Sequence, residues 1–154
     1  MAEYAAFTEA RAAEIIAAHV HVEGAVVPIL NAIQAAFGCV PREAVAMVAE
    51  ALNLSRAEVH GVASFYHDYR DAPPGRREIR VCRAESCQAR GGEAAARFLL
   101  GSLGIDWGGT SADGAVTVEA AYCLGLCAVS PAALVDGEPL GRVDGMILAE
   151  AARS

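Results

Sequence analysis

The sequence predicts an α+β chain in two parts, a helical segment over residues 1–72 and a small α/β unit over residues 76–154. Three observations lead there. Apolar residues recur at helical spacing up to about Tyr66, the run Asp71-Ala72-Pro73-Pro74-Gly75 breaks that pattern, and strand-like alternation begins just after it. Apolar residues make up 55% and charged residues 20% of the 154, which supplies a core and argues against disorder.

The elements follow in order. Thr8 caps a helix running to about His21, with Ala12, Ile15, Ile16 and His19 on one side. Val26, Leu30, Ile33 and Phe37 stripe a second helix, which Gly38 ends. Pro41 opens a third as a first-turn proline, burying Val45, Val48 and Leu52. Ser55-Arg56-Ala57-Glu58 is a capping box for a fourth, which turns Val59, Val62 and Tyr66 inward. After the break, Glu78 to Cys82 alternates like a strand, and Gly91-Gly92 precedes a helix from Glu93 to Leu103. Ala115 to Tyr122 and Ala132 to Val135 read as strands. Asp136-Gly137 turns into a short strand near Leu140 to Val143, and a last helix spans about Asp144 to Ala152. Strand, helix, three strands and helix, in that order, fit a small sheet of thioredoxin type.

Charge and composition exclude several functions. The net charge is −7 and no basic run exists, which disfavours a nucleic-acid binder. All twelve basic residues are Arg, so a Schiff-base lysine, a P-loop lysine and a lysine general base are absent. No G-x-G-x-x-G follows a strand, and neither a Ser-His-Asp set nor a carboxylate pair stands out. The chain is therefore expected not to be an enzyme by itself. Met1-Ala2-Glu3-Tyr4 starts acidic, unlike a secretory signal, and Gly24 to Pro41 is too interrupted to span a membrane. These features predict a soluble, cytoplasmic protein with no direct membrane insertion.

Four of five cysteines fall in two pairs. Cys82 and Cys87 form C-x4-C, while Cys123 and Cys127 form C-x3-C. Each pair follows a predicted strand, so both sit on loops at one end of the sheet, where four thiolates can converge on one centre. Such a donor set selects Zn2+ or an iron–sulfur cluster, and the residues alone leave both open. A zinc-stapled interaction module is thus an alternative of a different class. Redox dithiol chemistry is disfavoured, since no C-x-x-C sits at a strand-to-helix turn. Cys39, alone beside Gly38, reads as a buried small hydrophobe, and Trp107 as a plug in a satellite core. His60 and His67, seven apart, share a helix face as packing or partner contacts; His19 and His21 fall on different faces. Ser130-Pro131 precedes the third strand, where thioredoxin folds carry a cis proline.

The pattern C-x4-C, 35 residues, C-x3-C resembles the thioredoxin-like [2Fe–2S] ferredoxin subunits, of the 24-kDa type of complex I. His60-Gly61-Val62-Ala63-Ser64-Phe65-Tyr66 looks like that family's G-V-A-[ST]-F-Y signature, and Val40-Pro41-Arg42-Glu43-Ala44 also matches. Members accompany flavin-bearing NAD(H) subunits in complex I, NAD-linked hydrogenases and NAD-dependent formate dehydrogenases. Arg83-Ala84-Glu85-Ser86, Gln88-Ala89-Arg90 and His67-Asp68-Tyr69-Arg70 look most like the gamma subunit of molybdenum-dependent, NAD-linked formate dehydrogenase. The resemblance implies that Cys82, Cys87, Cys123 and Cys127 bind one [2Fe–2S] cluster. It implies two partners, a flavin- and NAD(H)-binding subunit and a larger molybdenum/iron–sulfur catalytic subunit. Arg80, Arg83 and Arg90 flank the first pair, with Glu85 opposing them, and the Gly91-Gly92 helix start is positioned to aim amides at the site; the blander alternative makes these arginines solvated surface charges or grips on a partner subunit. Phe65, Tyr66, Tyr69 and Arg70 are candidate docking anchors.

Overall fold

The computed structural model describes residues 4–154, so the acidic start Met1-Ala2-Glu3 lies outside the described residues. The chain forms two compact units, one ending at Pro73 and the other running from Pro74 to Ser154.

Four helices build the first unit: α1 (Glu9–His19), α2 (Val26–Phe37), α3 (Arg42–Ala51) and α4 (Arg56–Phe65). Thr8 Oγ1 accepts from the Arg11 amide and caps α1, which ends two residues earlier than expected, leaving His21 outside it. Gly38, at φ 75°, closes α2 in the left-handed region that glycine tolerates. Pro41 is the cap residue just before α3 and not its first turn. The capping box at Ser55 and Glu58 is complete. Ala12, Ile15, Ile16, Leu30, Ile33, Phe37, Val48 and Val59 share one core. Ala44 and Ala49 are buried there, while Val45 and Leu52 are only half-buried, because small residues sit where the helices approach closest. Tyr66 does not turn inward: α4 stops at Phe65, so the helical spacing no longer applies and its ring is 47% exposed. His67, also past the helix end, shares no face with His60.

The second unit carries β1 (Arg77–Cys82), α5 (Glu85–Ala89), α6 (Gly92–Leu103), β2 (Val116–Ala121), β3 (Ala132–Val135), β4 (Glu138–Gly141) and α7 (Gly145–Arg153). The sheet order is β2-β1-β3-β4. β1 pairs parallel with β2 and antiparallel with β3, and the Asp136-Gly137 turn joins β3 to β4. Both turn residues have positive φ, as a tight hairpin demands. Ile79, Val81, Val116, Val118 and Ala133 face α6 and α7 through Ala96, Leu99, Leu100 and Leu148. Trp107 packs at the edge of that core. The Ser130–Pro131 peptide is cis. Among the described residues, no helix is long and apolar enough to cross a membrane.

Candidate metal centre

The parallel register of β1 and β2 sets Cys82 opposite Ala121, which brings both cysteine segments to one end of the sheet. Cys82 ends β1, and Cys87 lies in α5, a one-turn helix where the sequence predicts a loop. Cys123 follows β2, and Cys127 opens a 3-10 turn (Cys127–Val129). All four thiols are free, as is buried Cys39, which stands in the other unit at the α2–α3 loop. Burial, and then the charge of Asp71, raise the Cys39 thiol, so it is held neutral.

The two pairs differ in exposure: Cys82 and Cys87 are buried, whereas Cys123 and Cys127 are exposed. Cys82, Cys87 and Ala132 form a small apolar cluster with Ala84, Leu124 and Leu126, so the second loop closes over the first pair. Burial alone pushes the Cys82 thiol up. Hydrogen bonds from the Ala84 and Leu124 amides, the Cys87 thiol and the Cys123 amide outweigh it and hold the thiol below its ordinary value. Cys87 moves the other way, raised by burial and by its hydrogen bond with Cys82, against a lowering amide from Ala132. Cys127 is raised, mainly by the charge of Cys123 and the hydrogen bond between their sulfurs. Cys123 itself sits at φ 78°, a left-handed backbone unusual for a residue with a Cβ. That turn delivers the amides of Cys123 and Leu124 to the Cys82 sulfur.

Side chains around the pairs are tied in ways that residue spacing does not announce. Ser86 Oγ and the buried Ser130 Oγ are 3.0 Å apart and link the two loops. Arg83 pairs with Glu93 at 3.3 Å, and its guanidinium lies 4.8 Å from the Trp107 ring centre. Its amide donates to Ala121, and its carbonyl accepts from Gln88 Nε2, so the strand end is fixed on both sides. At the start of α6 the Gly91 amide donates to the Gln88 carbonyl, so that group caps α5 and is not aimed at the sulfurs. Gly92 serves a different need. A Cβ there would lie 2.7 Å from the Cys87 carbonyl oxygen, so only glycine permits this approach.

The sequence profile of the thioredoxin-like [2Fe–2S] ferredoxin family matches residues 12–152. The chain belongs to that family. A thioredoxin-like [2Fe–2S] ferredoxin carries one [2Fe–2S] cluster. Among its relatives is NADH-quinone oxidoreductase subunit 2 of Thermus thermophilus, 35% identical over 75% of this chain and 64% of its own length. An NADP-reducing hydrogenase subunit of Solidesulfovibrio fructosivorans is 32% identical, over 79% of this chain and 71% of its own. A subunit of the NADH-quinone oxidoreductase of Pseudomonas aeruginosa is 37% identical, over 76% and 72%. This ferredoxin chain thus spans about two thirds of their lengths. The crystal structure of an NAD+-reducing [NiFe]-hydrogenase superposes at TM-score 0.67 and 29% identity, covering 80% of this chain and 21% of that one.

The donor set fits the ferredoxin's cofactor. Two local pairs, Cys82 with Cys87 and Cys123 with Cys127, supply the four thiolates that such a cluster would take. Among the described residues, no three His, Cys, Asp or Glu side chains are gathered for a single metal ion.

Proposed function

We propose that this chain is the electron-transfer subunit of an NAD-dependent formate dehydrogenase, with Cys82, Cys87, Cys123 and Cys127 holding its one [2Fe–2S] cluster. The observation that carries the reading is the meeting of two cysteine pairs at one end of the sheet, one exposed and one buried under the lid of Leu124 and Leu126. The cluster supplies one-electron storage and transfer, whereas NAD(H) exchanges a hydride, so a flavin on another chain must convert between them.

The chain's own residues do the rest. Amides of Ala84, Leu124 and Cys123 stabilise negative charge on the Cys82 sulfur, and Ala84, Ala132, Leu124 and Leu126 keep water from the inner pair. Cys123, Cys127 and the 73%-exposed Tyr122 place the outer pair where a partner can reach it. In the helical unit, Phe65 is 73% exposed and stacks edge-on with Tyr66, which meets Tyr69 likewise. Tyr69 is anchored by its hydroxyl to Asn31 Oδ1 at 2.8 Å, and this aromatic ledge is the surface we assign to the flavin subunit.

Formate as the complex's substrate rests on the loop residues Arg83-Ala84-Glu85-Ser86, Gln88-Ala89-Arg90 and His67-Asp68-Tyr69-Arg70. The relatives' names favour a second reading equally well, the equivalent subunit of complex I or of an NAD-linked hydrogenase. Affinity purification of the tagged chain from its native host, with mass spectrometry and iron analysis, separates them. Co-purifying flavin and molybdenum subunits with formate-driven NAD+ reduction are expected. Hydrogenase or quinone-reductase subunits instead would replace formate but keep the role. A colourless chain holding zinc would overturn the electron-transfer reading.

A further inference from the structure

Three arginines near the first cysteine pair are candidates for influencing it electrostatically, and the sheet sorts two of them by face. Side chains alternate along β1, so Ile79 and Val81 enter the core against α6 and α7, while Glu78, Arg80 and Cys82 take the opposite side. Arg80 is the next residue along β1 on that side, two positions from Cys82, or roughly 6.6 Å between Cα atoms. Arg83 falls on the other side, engaged with Glu93 of α6 and Trp107.

Arg80 is held in place. Its guanidinium pairs with Glu78 on its own strand and, at 3.3 Å, with Glu119 of β2, its partner in the β1–β2 register. The three side chains are only 34%, 21% and 26% exposed, so their field is less screened than that of surface charges.

We propose that the Glu78–Arg80–Glu119 triad sets the reduction potential of the cluster, Arg80 raising it and Glu119 lowering it; this rests on the reading of Cys82 as a ligand. A [2Fe–2S] cluster with four thiolates carries two net negative charges when oxidised and three after accepting one electron. A neighbouring cation favours the reduced form, and a neighbouring carboxylate opposes it. The carboxylates also stop the guanidinium from swinging into water, so its effect is fixed.

The test is a spectroscopic redox titration of the purified, cluster-loaded full chain and its variants, with iron content measured on each. In Arg80→Gln the ratio of reduced to oxidised cluster at fixed potential should fall by about tenfold, which for one electron is about 59 mV. Glu119→Gln should raise the ratio, and Arg80→Lys and the Arg80→Gln/Glu119→Gln double variant should both lie near the parent. Opposite shifts from two partners of one ion pair are a charge effect, since structural damage has no reason to change sign. Shifts in the same direction, or an unmoved potential at full iron content, would overturn the tuning role. If Arg80→Gln does not fold, Glu119→Gln alone decides, by raising the potential or not. A parent chain without iron would instead overturn the ligand assignment.

Discussion

Gly92 is the residue on which the inner cysteine pair most directly leans. A methyl group there meets the Cys87 carbonyl, which is backbone and cannot rotate away, so α5 must move. Gly92→Ala should cost about 2 kcal/mol, as overpacking does, and should lower iron retention. Gly91→Ala is the informative comparison. That position is strained by its φ of 89°, but nothing stands where its Cβ would go. Equal iron loss in both variants would show that the contact with Cys87 is unimportant. A second residue with a clear signature is Glu58, whose carboxylate accepts from the Ser55 amide and hydroxyl, both at 2.8 Å. The amide hydrogen bond, then the hydroxyl, holds its pKa below the ordinary value. A depressed carboxylate stabilises the fold above its unfolded pKa and loses that contribution as pH falls through the folded one. Glu58→Gln should therefore flatten the decline in helical stability as pH falls below the ordinary glutamate value of about 4.3, read by circular dichroism. The pairing of Cys82 with Cys87 and of Cys123 with Cys127 is legible because each pair is local in sequence. Ser86–Ser130 and Arg83–Trp107 are not, because 44 and 24 positions separate the partners and only folding brings them together.

Among elements, those with a strong period and a chemical stop are readable from sequence, and the rest are not. α2 has an apolar stripe and a terminal glycine, and β3 ends at Asp136-Gly137, so both fall at or near the expected bounds. β4 begins two residues earlier than expected, at Glu138, since Pro139 speaks against a strand interior. The sheet order explains why it is tolerated: β4 is an edge, where a missing amide donor does little harm. α5 is invisible in the sequence because five residues are too few to show a period, and Ala84 gives no capping side chain. The functional weight of that short helix can be measured through its tie to the segment before β3. Ser86→Ala leaves the buried Ser130 hydroxyl without its partner, at a cost of about 1–3 kcal/mol. Iron should then be released to a chelator several times faster, and a release rate equal to the parent's would mean the loops are held together by other contacts.

On the scale of the molecule, the two units have separate cores. We expect a fragment from Pro74 to Ser154, once loaded with its cluster, to fold alone, because metal binding and folding are coupled. Pro74 is the better start than Arg76, for the Gly75 amide donates to Thr117 Oγ1 at 2.6 Å. The helical fragment alone should be marginal, since its helices are short and its aromatic ledge is left uncovered. Cooperative melting of the helical fragment, with no cluster assembly in the other, would refute this division. The meeting of the two cysteine loops has a further consequence. Thirty-five residues lie between Cys87 and Cys123, including all of α6 and β2, and the proposed cluster ties the ends of that stretch together. It acts as a cross-link, and by analogy with a disulfide closing a loop of this length it removes unfolded-state entropy worth about 4 kcal/mol. Without iron that contribution is lost and the stretch should open to proteases more often, so the iron supply of the cell would influence how much of this polypeptide survives.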